Sequence, residues 1–222
     1  MRREEALPST GGRAYNARAM AEEWGGAPCI KGIAFRTAFQ TFAELYGPFT
    51  ANAILEKLPA DLRDRIQQGL IFTGNWYPLE WYNQVYVAAQ EVTGLGLELP
   101  LVLSRENIKK DLGRIYAIFI RWMSPEYVIG RAARLFNTYY DTGTFVVDEA
   151  RKGYVLAHLT GCHGFNKNLW VGLLGGCEAA LIASGVKNIH FKVLKGGGDG
   201  DSGMEFEATW GALPEAEAAG QG

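Results

Sequence analysis

The residues best equipped for chemistry gather in "HLTGCHGFNKN", where Cys162 and His163 adjoin in a glycine-flanked loop and His158 lies one short strand back. A thiol beside an imidazole is the raw material for a nucleophile and its base, or for two ligands of a metal ion. His190 joins them only if its strand runs close to that of His158 and shares its face. Neighbours in sequence usually point apart, and no acid is fixed by spacing to orient an imidazole, so the competing reading is a surface loop with a free thiol. The expectation is therefore no catalytic set and no metal, with Cys162, His163, His158 and His190 as the residues to follow.

Other chemistries are excluded by what is missing. The chain has no GxxxxGK[ST] phosphate cradle, and "GLGLELP" and "KGGGDGDSG" do not stand between a strand and a helix as a phosphate loop must. The rings of "NWYPLEWY" have no interleaved Arg or Lys and read as packing rather than as a base-stacking platform. With 22 basic and 24 acidic residues the formal charge is −2, too little to draw the protein to nucleic acid or an anionic membrane. The most apolar run, "IYAIFI", falls far below the ~20 residues that span a bilayer. Three widely spaced cysteines and no apolar signal sequence imply a reducing, cytoplasmic setting.

A second pattern is aromatic. Phe136, Tyr139, Tyr140, Trp170, Phe191 and Trp210 could wall a cavity for an apolar or aromatic small molecule, and could equally fill that space. Tyr139 and Tyr140 mark the change from helix to sheet. Either they plug that junction as large amphipathic rings or they line a pocket there.

The elements that position these residues follow from periodicity. Phe35, Phe39, Phe42 and Leu45 recur at helical spacing until Gly47 and Pro48 intervene. Thr50 can cap the next helix, with Ile54, Leu55 and Leu58, and Pro59 opens a short one through "ADLRDRI". Pro78 suits a first helical position before Trp81, Tyr82, Val85, Ala88 and Ala89. Ile108, Leu112, Ile115, Phe119 and Trp122 form a longer stripe, and Ser124 caps a helix from Pro125 to about Thr138. After these five or six helices the period becomes two. "TFVVDEA" and "GYVLAHLTG" read as a hairpin, "NKNLWVGLLGGCEAALIASG" as a helix with a small-residue face suited to a sheet, and "VKNIHFKVL" with "GMEFEATW" as a second hairpin. The fold class is thus α+β, a helical layer followed by a β-β-α-β-β antiparallel sheet. Residues 29–210 make one domain, helical over 29–140 and sheet over 141–210, with a flexible leader (1–28) and a disordered tail (211–222).

"KGIAFRTAF", "LPADLRDRIQQGLIFTGNWYPLEWY", "SPEYVIGRAARLFNTYYDTGTF" and "MEFEATW", in this order, resemble the DUF2378 family of myxobacterial paralogues over about residues 30 to 210. That family is similar to the superfamily of the vinyl reductase domain, the haem-NO-binding domain and the TRAPP vesicle-tethering subunits. The resemblance implies a pocket between helices and sheet, and a homodimer or protein partner. It also implies two cofactor sites, whose residues are wanting. Zinc-binding relatives carry C-terminal cysteines, and Met204 stands where one would be expected. Haem-NO-binding domains need a proximal histidine and a Tyr-x-Ser-x-Arg grip on the propionates, whereas His158, His163 and His190 all fall in the sheet half and the motif is absent. The expectation is no haem and no zinc. The function expected is a non-enzymatic ligand-binding or sensor module. The alternatives are a dimeric scaffold with a filled core and, last, a reductase-like or cysteine-dependent enzyme.

Overall fold

Phe35 and Phe42 lie on one helical face and are almost fully buried in the computed structural model, where helix α1 (Gly32–Tyr46) forms around them. The structure describes residues 23–120 and 123–211. The leader before residue 23, the tail beyond 211 and the side chains of Leu112, Ile115, Phe119 and Trp122 lie outside what is described.

Among the described residues, the helices that precede the main sheet are α1, α2 (Pro48–Lys57), α3 (Ala60–Gln67), α4 (Leu79–Thr93), α5 (Glu98–Ile120) and α6 (Pro125–Tyr139). Two start signals act differently from their sequence reading. Pro48 itself opens α2, and the Thr50 hydroxyl donates to the Tyr46 carbonyl at 2.8 Å rather than capping. Pro78 ends a three-residue strand, so α4 begins one residue later. Ser124 does cap α6, its hydroxyl oxygen accepting the Tyr127 N–H at 3.3 Å.

That strand, β2 (Trp76–Pro78), pairs antiparallel with β1 (Cys29–Lys31) in a small sheet that no alternation of three residues could announce. The main sheet holds β3 (Thr144–Arg151), β4 (Tyr154–Thr160), β5 (His190–Gly196) and β6 (Met204–Thr209) in the order β3-β4-β6-β5, antiparallel throughout. Helix α7 (Lys167–Ala183) stands between the hairpins, giving the expected β-β-α-β-β order. The sheet buries Phe145, Val155, Ala157, Leu159, Phe206 and Ala208 on one face, in one core with Leu169, Trp170, Leu173 and Leu181 of α7.

The small-residue face of α7 has a different neighbour from the one its pattern suggested. A Cβ on Gly175 would overlap the Leu101 carbonyl oxygen, and one on Gly172 would lie 2.7 Å from the Tyr86 hydroxyl and 2.9 Å from the Ser104 hydroxyl. The glycines therefore admit α5 and α4 rather than the sheet. A small face specifies close approach and leaves the approaching element open.

Candidate functional site

The end of α6 is tied to β1 by backbone pairing. Ile30 and Tyr140 form a bridge, the Cys29 N–H donates to the Asp141 carboxylate at 2.6 Å, and the Asp141 N–H returns to the Cys29 carbonyl at 3.2 Å. This fixes the helix–sheet junction and seats the Tyr140 ring in an aromatic row, 4.9 Å from Phe136 and 5.0 Å from Phe165 between centroids.

Beside this row lies a cavity of about 730 Å³, within the size range of small-molecule sites. Its walls come from β1, α1, α4, α5, α6, β3 and α7. Ile30, Phe136, Phe145, Leu173 and Cys177 are buried wall residues, whereas Met123, Arg131, Arg134, Leu135 and Thr138 are exposed and form the mouth. Deep inside, the Tyr86 and Ser104 hydroxyls bond at 3.0 Å. Asn107, also a wall residue, pairs with Thr41 at 2.6 Å, and Thr41 accepts from Lys110, whose ammonium also meets Glu44 at 2.7 Å. Most polar groups on this side thus have partners within the fold. The Tyr140 hydroxyl makes no hydrogen bond among the described residues, and burial holds its pKa far above that of an ordinary phenol.

Of the six aromatic candidates, Phe136, Tyr139 and Tyr140 line the cavity. The other three sit elsewhere in the same body. Trp170 packs 4.6 Å from Phe165 with its indole N–H buried and unpartnered among the described residues. Phe191 packs 5.8 Å from Phe206, and Trp210 is buried just beyond β6. Tyr86, Ser104, Arg131 and Arg134 escaped sequence reasoning. For the arginines a signal existed: the stretch "YVIGRAARLFNT" carries both and no acid to pair them.

The cysteine–histidine loop comes apart. Cys162 is buried against Gly143, whose imagined Cβ would collide with its sulfur, while His163 is exposed. Burial pushes the Cys162 thiol up to about 12, which leaves little of the reactive thiolate at neutral pH. His158 bonds Asp148 at 2.6 Å, and His190 is exposed at the start of β5. Among the described residues no three His, Cys, Asp or Glu side chains are placed to hold a metal ion.

No protein-family model and no curated protein matches the chain. Solved structures do. An Fe(II) unliganded H-NOX protein from K. algicida superposes with a TM-score of 0.62 at 13% identity, covering 83% of this chain and 98% of its own. The fold is that of H-NOX domains. An oxygen-binding H-NOX domain related to soluble guanylate cyclases, in its oxygen complex, gives 0.58 at 14% identity, covering 82% and 96%. A structure from work on haem distortion in the H-NOX family gives 0.54 at 18%, covering 83% and 97%. At the level of fold this agrees with the haem-NO-binding likeness expected from the sequence.

These neighbours overturn the expectation of no haem and bring haem back as a possible cofactor. That expectation rested on one ligand set, histidine plus Tyr-x-Ser-x-Arg, whereas haem iron is also held by tyrosine oxygen or cysteine sulfur. No histidine is among the described residues lining the cavity, but Tyr140 and Cys177 are, with apolar walls and two mouth arginines suited to a carboxylate-bearing ring. No described helix is long and apolar enough to cross a membrane.

Proposed function

We propose that the chain is a ligand-binding sensor module, with the cavity between the helices and the sheet as its receptor site. The observation that carries this reading is a largely apolar space of about 730 Å³ at the junction where Phe136, Tyr139 and Tyr140 meet α4, α5 and α7, in a chain with the H-NOX fold. The fold likeness supports the class of function, and the cavity supports an apolar, ring-bearing small molecule as occupant.

Haem is one such occupant, and it would supply an iron centre able to take a diatomic gas. Tyr140 or Cys177 would be the residues to hold it, each giving up a proton that burial holds tightly. The DUF2378 and vinyl reductase likenesses rest on the sequence motifs and are compatible with the same site.

Native mass spectrometry beside the denatured mass, with an absorption spectrum of protein from a haem-supplemented culture, tests the reading. Added mass that disappears on denaturation is the expected result, and a Soret band identifies haem. A bare monomer that takes up neither haemin nor an apolar probe on titration overturns it. A bare dimer favours the homodimeric scaffold. Neither the buried Tyr77 and Tyr82 nor the glycine face of α7, on which α5 and α4 close, offers the exposed apolar patch that such a scaffold needs.

A further inference from the structure

The described lining of the cavity contains two cations, Arg131 and Arg134, and no carboxylate. Both stand on α6 and share a face with Leu135 and Thr138 at the mouth, as their three- and four-residue spacing requires. Arg131 is held in place by Tyr127: its Nε donates to the Tyr127 hydroxyl at 3.0 Å, and its guanidinium lies 5.2 Å from the ring centroid. Among the described residues its terminal nitrogens have no partner. Arg134 makes no ion pair or hydrogen bond among the described residues. An arginine without an acid is ordinary on an open surface. Two of them at the rim of an apolar pocket, one oriented by a neighbouring ring, make an anion site at the end of a hydrophobic bore.

We propose that the ligand is an acid with an apolar body, its carboxylate on Arg131 and Arg134 and its hydrocarbon against Phe136, Leu173 and Tyr140. This rests on the cavity being a receptor site and adds the chemical class of what enters it. The apolar walls reject a free inorganic anion, which would have to shed water without gaining contacts. The arginines discriminate against a neutral hydrocarbon, which leaves them solvated but unused. Both a chain acid and a ring acid carry this chemistry, and the two can be told apart by testing each against its neutral twin.

The experiment is titration of the full-length protein, at pH 8, with decanoate against decanol and with protoporphyrin IX against its dimethyl ester. In at least one pair the acid is expected to bind about ten-fold more tightly than its twin. Arg131→Gln combined with Arg134→Gln should erase that preference while the neutral twin binds as before. The pair that shows the preference names the source, chain or ring. Equal affinity of acid and twin in both pairs overturns the proposal and leaves the cavity reading intact, as does a double variant that retains the preference. Failure of all four compounds to bind overturns both. An unchanged thermal midpoint in the double variant separates lost recognition from lost folding.

Discussion

Replacing Gly175 by alanine sets two well-characterised effects against each other. In a helix interior alanine is favoured over glycine by about 0.8–1.0 kcal/mol, so without neighbours the change would stabilise α7. Gly175 has a neighbour: its new methyl would overlap the Leu101 carbonyl oxygen and stand 3.0 and 3.1 Å from the Leu101 carbonyl carbon and Cα. Backbone of α5 cannot rotate aside as a side chain does, so the two helices must separate. Overpacking of this kind costs roughly 1–3 kcal/mol, and a further fraction follows from contacts loosened along the crossing. The net expectation is a loss of about 1–2 kcal/mol, which for a protein of this length lowers the melting temperature by roughly 2–8 °C. Two companion substitutions supply the scale. Gly130→Ala meets no heavy atom within 4 Å and should raise the midpoint, while Gly176→Ala approaches only the Ile108 Cγ1 at 3.4 Å and should change it little. Thermal melts of the three variants against wild type read this out directly. A Gly175→Ala protein melting as high as Gly130→Ala would refute the reasoning, because α5 would then not be held where the crossing places it.

Tyr140→Phe removes a hydroxyl that bonds to nothing among the described residues, so stability should move by less than about 0.5 kcal/mol in urea titrations. A loss several times larger would mean that the hydroxyl has a structural partner. All three cysteines are buried, and burial pushes the Cys29, Cys162 and Cys177 thiols each up to about 12. Their thiolate fraction at pH 8 should then be roughly a thousand-fold below that of a free thiol, rising about ten-fold per pH unit. A colorimetric thiol reagent should see almost none of them in the native protein and all three after denaturation. One fast-reacting equivalent at pH 8 contradicts this.

Where the sequence repeats a period over several turns, it announces the fold well. Phe35 and Phe42, Tyr82 and Val85, Leu159, Phe206 and Ala208 all fall on buried faces, because burial of one face is what the period records. Strands β1 and β2 are too short to show a period, and they exist because Ile30 pairs with Tyr77 and Tyr140, residues far along the chain. The cavity was legible only in part for a related reason. Phe136, Tyr139 and Tyr140 stand out as large rings at a change of period, but an empty space belongs to no single residue. Arg131 and Arg134 look like ordinary surface charges until the apolar walls behind them are known. The glycines of α7 likewise declared that something came close without saying what.

The tie between Cys29 and Asp141 also bears on the order in which the molecule assembles. It joins backbone segments 112 residues apart, so closing it costs loop entropy that only later contacts repay. The α6–β3 turn and both hairpins need no such closure. The junction beneath the cavity is therefore expected to form after the transition state for folding. Asp141→Ala should then leave the refolding rate nearly unchanged and speed unfolding. Stopped-flow measurements in urea would show the reverse, slowed refolding with unaltered unfolding, if β1 instead docks early and organises the helices around it.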